Sequence, residues 1–141
     1  MNGLIVHGIV YNSKREILVI RRCKCRKGGK VNFQAEKWDF PGGTVEENEL
    51  PKDAIVREVL EEVGLTVELD RIVYEFSNYD EKKNKVFTTL VYSCILMGEE
   101  TLTLNFEEHD QYQWISIDAL MATNKIDLVN YVIPSVKNIN R

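Results

Sequence analysis

One short segment constrains the fold more than any other, because it predicts a helix with both ends marked. Pro51 suits the first helical position, where its missing N–H is not needed, and Gly64 suits the left-handed residue that ends a helix. At about 100° per residue, Glu58, Glu61 and Glu62 share one stripe of that helix. The apolar residues on roughly the opposite side are Val56, Val59, Leu60 and Val63. We therefore expect the apolar side to pack inward while three carboxylates share one face.

Carboxylates spaced this closely repel each other on a helix surface. A divalent cation would offset that repulsion, because hard cations such as Mg²⁺ take carboxylates, waters and substrate phosphates as ligands. The alternative is a solvated acidic face beside Lys52 and Arg57. The three glutamates alone favour the solvated face, whereas the family resemblance described next favours the cation.

The spacing resembles the signature of the Nudix hydrolases, G-x5-E-x7-R-E-U-x-E-E-x-G-U, in which U is a bulky aliphatic residue. The matching residues are Gly43, Glu49, Arg57, Glu58, Val59, Glu61, Glu62, Gly64 and Leu65. No specified position departs from the signature. The lead-in Trp38-Asp39-Phe40-Pro41-Gly42-Gly43 and a later strand containing Trp114 are also similar to the family.

The resemblance implies an α/β fold, a Nudix-type α/β/α sandwich with a mixed β-sheet. It implies a single Nudix hydrolase domain over residues 1–141, with the Nudix box at residues 43–65. The order of predicted elements agrees, because strands separated by one central and one late helix suggest a mixed sheet between helices.

The resemblance also implies a metal site. Glu58 and Glu62 would be the principal ligands of Mg²⁺, or of Mn²⁺, with Glu61 as a further ligand or a partner through water. The backbone carbonyl of Gly42 would supply another oxygen.

Two further roles follow from the resemblance, those of an ion pair and of a general base. Glu49 would pair with Arg57, which projects about 100° away from the carboxylate stripe and so suits a structural role. The base would be a loop glutamate a few residues before a strand tryptophan, and Glu108 is our choice. Glu107, His109 and Glu61 stay open as alternatives.

Substrate contacts are expected from the residues around the glycine turn. Arg21 and Arg22 would pair with phosphates, since a guanidinium engages two oxygens at once. Asp39 would accept from a ring N–H, and Phe40 would either stack on a base or pack in the core. The remaining cations of the basic segment are expected to be solvated: Lys24, Arg26, Lys27 and Lys30.

Members of the family hydrolyse a nucleoside diphosphate linked to another group. The short chain and its lead-in resemble the MutT-like branch, which cleaves nucleoside triphosphates, including oxidised ones, to the monophosphate and pyrophosphate. A nucleotide-sugar or dinucleoside polyphosphate pyrophosphatase is the alternative within the enzymes. A nucleotide-sensing binding module is a third reading, although such modules often lose the carboxylates that are present here.

Length, charge and cysteine content limit the class of protein that this chain can be. The 141 residues fit one domain, and the net charge of −4 argues against nonspecific binding to a nucleic acid polymer. We expect a cytoplasmic protein, as a monomer or homodimer, because there is no signal-like N-terminus and no span-length apolar run. Cys23, Cys25 and Cys94 are expected to be free thiols, because their number is odd and their spacing does not suit zinc.

The remaining pattern predicts mostly strands. The predicted strands are Leu4–Tyr11 and Glu16–Ile20 as a hairpin, a short strand at Trp38, Thr66–Tyr79, Lys85–Met97, Leu102–Phe106 and Tyr112–Ile115. The predicted helices are Pro51–Val63, a short helix capped by Ser116 or Asp118, and Asp127–Lys137 with Pro134 inside it.

Overall fold

The computed structural model describes residues 2–26 and 28–139, with side chains described as far as residue 136. Lys27, one of the predicted solvated cations, lies outside the described residues. The strands are β1 (Gly3–Tyr11), β2 (Ile17–Arg22), β3 (Trp38–Asp39), β4 (Gly42–Thr44), β5 (Thr66–Asp80), β6 (Lys85–Met97) and β7 (His109–Ile115). The helices are α1 (Pro51–Val63), α2 (Ile117–Met121) and α3 (Asp127–Ile139).

The strands described form one mixed sheet, with the path β3-β2-β1-β6-β5. β4 also pairs with β1, and β7 pairs with β2. β1 and β6 run parallel, from Gly3 beside Phe87 to Tyr11 beside Ile95, whereas the other pairs are antiparallel. The predicted β1–β2 hairpin is present, and its turn is held by the Asn12 side-chain oxygen, which accepts from Lys14 N and Glu16 N.

Helices cover both faces of this sheet. Strand residues point alternately to opposite faces, so β1 sends Val6 and Val10 into a core shared with α1, and Ile9 into a second core shared with α3. The two cores sandwich the sheet between helices. The predicted α/β/α arrangement is therefore confirmed.

The ends of α1 are those that the sequence predicts. The helix begins at Pro51 and ends at Gly64, which has φ +69° and donates its N–H to Leu60 O at 2.9 Å. Its buried residues are Ala54, Ile55, Val59 and Val63. Leu60, which we expected on the packed side, is exposed, because the buried stripe is centred nearer Ile55 and Val59.

Two strand predictions need correction. Residues 102–106 do not form a strand, because their backbone satisfies the last carbonyls of α1 instead. Thr103 N donates to Val63 O at 2.9 Å, and Asn105 N donates to Glu62 O at 2.7 Å. β7 begins at His109, three residues earlier than predicted. Helix α1 is thus tied to the segment that leads into β7.

The remaining features agree with expectation. Ser116 caps α2 by accepting from Ala119 N, and α3 continues through Pro134. The three cysteines are free thiols, with Cys23 and Cys94 buried and Cys25 exposed. Among the described helices, none has the length and apolar character that crossing a membrane requires.

Candidate active site

The carboxylate face of α1 borders a cavity of about 430 Å³. Its glutamates come from three places: Glu46 before the helix, Glu58, Glu61 and Glu62 on the helix, and Glu107 and Glu108 before β7. We call it the acidic cavity. Residues separated by some fifty positions in the chain thus meet at one surface.

Two glycines bring the backbone of β4 against the helix. A Cβ on Gly43 would lie 2.6 Å from the Glu58 carboxylate, and a Cβ on Gly42 would lie 2.1 Å from Val6 O. Neither position has room for a side chain without movement of its neighbours. The glycine turn therefore lets backbone and carboxylates share one small space.

Arg57 joins the loop before α1 to the carboxylate face. Its Nε and Nη2 donate to both Glu49 oxygens, at 2.8 and 2.9 Å, and this pairing lowers the pKa of Glu49 to about 2. Its Nη1 also reaches Glu58 Oε1 at 2.9 Å and Glu61 Oε2 at 3.2 Å. The expectation that Arg57 points away from the carboxylate stripe is therefore wrong, because the long side chain bends back over it. The predicted Glu49–Arg57 contact is present.

The carboxyl group of Glu62 is only partly hydrogen-bonded. Its Oε2 is buried and has no hydrogen-bond partner. Burial raises the pKa of Glu62 well above its ordinary value, and the nearby carboxylates of Glu58, Asp39 and Glu108 raise it further, while the backbone N–H of Gly42 opposes them. Burial also raises the pKa of Glu58, against the effect of Arg57. A cation among these groups would relieve both the burial and the repulsion.

The residues present suit a hard divalent cation. The available ligand atoms are carboxylate oxygens beside a glycine backbone, and one of them, the buried Glu62 Oε2, has no hydrogen-bond partner. In the part of the chain that the structure describes, no three carboxylate, imidazole or thiol groups already form a complete ligand set. Glu58 and Glu61 are turned toward Arg57 instead. Each contact uses one oxygen, Glu58 Oε1 or Glu61 Oε2, so Arg57 can keep both contacts while the other oxygen of each residue faces a cation.

Glu108, in the segment before β7, also lines the acidic cavity. Its carboxylate accepts from Arg26 Nη2 at 3.0 Å, and its backbone carbonyl accepts from Cys23 N at 2.9 Å and from Asn32 Nδ2 at 3.0 Å. Its neighbour His109 is only 4% exposed, and the Nε2 of that ring has no partner. Burial lowers the pKa of His109 to about 4, helped by the positive charge of Arg22, so the ring is neutral at pH 7.

The four residues predicted to contact substrate occupy different settings. Arg21 pairs with both oxygens of Asp110, at 2.9 and 2.8 Å, and lines neither cavity of the site. Arg22 and Asp39 are bonded to each other at 3.1 Å and border the second cavity described below. Phe40 is fully buried, so its ring packs in the core and does not present a face to a base.

A larger cavity of about 800 Å³ adjoins the acidic one and shares Gly42, Gly43, Thr44, Glu108 and His109 with it. Its aromatic lining consists of Phe33, Phe76, Phe87 and Tyr131. We call it the aromatic cavity. Its polar lining includes His7, Arg22, Gln34, Asp39, Asn78, Asp80 and Asp127. Sequence reasoning placed Arg22 and Asp39 near the substrate but missed the four aromatic residues, because these come from a loop, two strands and α3, with no common spacing. The one available signal was Phe33, an aromatic residue within a polar, basic loop.

A family model described as NUDIX domain matches residues 1–134. The chain belongs to the Nudix family. The 8-oxo-dGTP diphosphatase of Escherichia coli is 38% identical over 76 residues, and this match spans 51% of the chain and 54% of that enzyme. The RNA pyrophosphohydrolase of a Sulfurovum species is 30% identical over 122 residues, spanning 78% of the chain and 72% of that protein.

Solved Nudix structures share the fold. The MutT protein from Methanosarcina mazei Go1 superimposes with a TM-score of 0.79 at 25% identity, over 99% of this chain and 96% of that one. The NUDIX domain of Shewanella oneidensis NrtR, solved with ADP ribose, gives a TM-score of 0.77 at 13% identity, over 100% and 90% of the two chains. The second likeness concerns the fold alone.

Proposed function

We propose that this chain is a divalent-metal-dependent pyrophosphohydrolase that converts a nucleoside triphosphate and water to the monophosphate and pyrophosphate. The observation that carries the proposal is the buried, unpartnered oxygen of Glu62, which faces other carboxylates beside a cavity of nucleotide size. An acidic site of this kind repels a polyphosphate unless a cation reverses the local field.

Glu58 and Glu62 are the proposed principal ligands of Mg²⁺, with Glu61 and the Gly42 carbonyl beside them. When bound, the cation supplies counter-charge to phosphate oxygens and lowers the pKa of a coordinated water. Arg57 holds Glu49 and orients Glu58 and Glu61 from behind. The chain's own part is thus to keep several carboxylates together in a partly buried space.

Glu108 is the proposed general base, because it borders both cavities and comes from the segment before β7, not from the helix that carries the proposed metal ligands. It would remove a proton from the attacking water as the water oxygen forms a bond to phosphorus and the anhydride bond between the α and β phosphates breaks, which releases the monophosphate and pyrophosphate. His109 is the strongest alternative, since its neutral ring can accept a proton. Glu107 and Glu61 also line the acidic cavity and complete the set of alternatives.

The aromatic cavity is the proposed site of the nucleoside. A base has a flat face that stacks on aromatic rings, and the adjoining acidic cavity places the phosphates next to the carboxylates. Arg22, which borders this cavity, is the proposed phosphate contact among the predicted arginines.

A second candidate substrate is the 5′-triphosphate end of RNA. The match to an RNA pyrophosphohydrolase covers more of the chain than the match to the 8-oxo-dGTP diphosphatase. Arg22 at the end of β2 and Phe33 in the loop that follows form part of the wall of the aromatic cavity, where a cation and an aromatic ring could contact a nucleotide. These observations keep a triphosphorylated oligonucleotide among the substrates to be tested.

The test is product release from nucleoside triphosphates, 8-oxo-dGTP, nucleotide sugars, dinucleoside polyphosphates and a 5′-triphosphorylated oligonucleotide, with Mg²⁺ and with chelator. Pyrophosphate and a monophosphate that disappear with chelator support the proposal. Glu62→Gln should lower kcat by several orders of magnitude, whereas Glu47→Gln, at an exposed glutamate outside the cavity, should not. Near-normal turnover in Glu62→Gln would contradict the metal assignment, and activity on nucleotide sugars alone would contradict the substrate assignment.

A further inference from the structure

Asn32 lies in the loop between β2 and β3, a segment to which the sequence assigns no role. Its side chain is only 4% exposed. A buried amide is costly unless its donors and acceptor are hydrogen-bonded. Here Oδ1 accepts from Arg22 Nη2 at 3.0 Å, and Nδ2 donates to the backbone carbonyl of Glu108 at 3.0 Å. The amide therefore bridges a residue of β2 and the proposed base.

The backbone at Glu108 is held from two directions. Its carbonyl accepts from Cys23 N at 2.9 Å as well as from Asn32. Immediately after it, the pairing of β7 with β2 shifts register: Arg22 lies opposite His109, whereas Arg21 lies opposite Gln111. The extra residue, Asp110, pairs with Arg21. Such a bulge redirects the chain at the end of a strand, and bulges of this kind often re-aim a side chain next to an active site.

Arg22 extends these hydrogen bonds toward the proposed metal ligands of α1. It donates to Asp39 Oδ2 at 3.1 Å, and Asp39 is one of the carboxylates that raise the pKa of Glu62. A continuous set of bonds thus runs from the Glu108 carbonyl through Asn32 and Arg22 to Asp39, beside the carboxylates of α1. The Glu108 backbone is fixed relative to the wall on which a water would be bound.

We propose that Asn32 is a positioning residue for Glu108, through the bond from its amide to the Glu108 carbonyl and the bond from Arg22 that orients the amide. This inference rests on the proposed role of Glu108 as the base. Asn32 itself lines neither cavity, so it acts on the reaction through the lining residues that it contacts, Glu108 and Arg22. An effect through Arg22, the proposed phosphate contact, would appear in KM, whereas an effect through Glu108 would appear in kcat. Without the Asn32 amide, the Glu108 carboxylate should keep its average position but adopt a wider range of orientations. A catalytic group that is poorly oriented loses much of its effect on the rate.

The test is a double-mutant cycle with Asn32→Ala and Glu108→Gln, each assayed for kcat, KM and Tm. Asn32→Ala should lower kcat roughly 10- to 100-fold with KM changed less than about twofold. In the Glu108→Gln background, the same change should alter kcat by less than about twofold, because the group it positions is already gone. A purely structural role would reduce kcat equally in both backgrounds.

Asn12→Ala is the matched control, because the Asn12 side chain also organises a loop and lies outside both cavities of the site. It should lower Tm without lowering kcat. Asn32→Asp is the second variant: it keeps the oxygen that faces Arg22 and removes the donor to Glu108, and it should reproduce the loss of kcat.

The outcomes separate the inference from the proposal beneath it. If Glu108→Gln leaves kcat unchanged, the base assignment fails and the positioning role fails with it. If Glu108→Gln lowers kcat but the Asn32 variants do not, or if the two changes are additive, the base assignment stands and the positioning role is wrong.

Discussion

Both carboxylate oxygens of Glu49 are bound by the guanidinium of Arg57, with Nε to Oε2 at 2.8 Å and Nη2 to Oε1 at 2.9 Å. This two-point contact joins the loop before α1 to the middle of the helix. Because Glu49 Oε1 also accepts from Glu46 N, the loop is closed on itself as well. The contact fixes the loop against the helix, and neither of its two residues is one of the glutamates Glu58, Glu61 and Glu62.

Acid should weaken this contact in a defined pH range. The pKa of Glu49 is about 2 in the folded protein, mainly because Arg57 binds the carboxylate, against an ordinary value of 4.5. The stabilisation is therefore complete above about pH 4.5 and is lost as the pH falls toward 2. We expect Glu49→Gln to lower the free energy of unfolding at pH 7 and to match the parent near pH 2, in denaturant titrations across this range. A difference that persists unchanged at pH 2 would contradict the ion-pair explanation.

Glu62→Gln should stabilise the metal-free protein. Since burial and neighbouring carboxylates raise the pKa of Glu62, its ionisation opposes folding, and this penalty grows as the pH rises above the ordinary carboxyl value. In chelator, the variant should therefore have a higher Tm than the parent at pH 8 and a similar Tm at pH 4. Adding Mg²⁺ should raise the Tm of the parent but not that of the variant. A variant less stable than the parent at pH 8 in chelator would show that Glu62 is not under electrostatic strain.

The sequence predicted the frame of this site because its signals are local. The proline and glycine that bound α1 and the four-residue spacing of Glu58 and Glu62 are read directly from one short segment. The Glu49–Arg57 pair was implied by the family signature in that same segment. Residues that meet only through the sheet were not predictable in this way. Asn32 and Glu108 come together because β2 pairs with β7. Tyr131 reaches the aromatic cavity because α3 packs against β5, where its ring lies 6.0 Å from that of Phe76. The pairing of Arg21 with Asp110 was not predictable either, because Asp110 lies at a bulge, which no periodicity in the sequence indicates.

The two glycines of the turn should respond differently to alanine. In Gly43→Ala the new Cβ meets the Glu58 carboxylate at 2.6 Å, and a side chain can move away. In Gly42→Ala it meets Val6 O at 2.1 Å, where the backbone of β1 must shift. We expect Gly43→Ala to fold with a weakened response of Tm to Mg²⁺ and kcat lowered by more than tenfold, whereas Gly42→Ala should lose several degrees of Tm or more. Equal losses of Tm in the two variants would show that Glu58 does not yield.

Gly64→Ala should destabilise the protein by about 1 kcal/mol, because its φ of +69° is unfavourable for a residue with a Cβ. The new Cβ would lie 3.4 Å from Thr103 Cβ, which is ordinary contact, so strain is the main cost. Gly98→Ala is the control, since Gly98 has φ +77° and nothing within 4 Å. Denaturant unfolding should give similar losses for both. A much larger loss for Gly64→Ala would mean that the contact with the 102–106 segment matters more than the helix end.

Phe33 should bind the nucleobase if the aromatic cavity holds the nucleoside. Its ring is 69% exposed, lines this cavity and lies 5.7 Å from the Arg22 guanidinium. Stacking of a base on an aromatic ring is worth about 1–3 kcal/mol, so Phe33→Ala should raise KM for a nucleoside triphosphate roughly 5- to 150-fold with little change in kcat. Phe106→Ala is the control, because Phe106 is 72% exposed and lines neither cavity. The KM for inorganic tripolyphosphate, which has no base, should be the same in the parent and both variants. If Phe33→Ala raises the two KM values equally, the ring supports the phosphate site and the base lies elsewhere in the cavity.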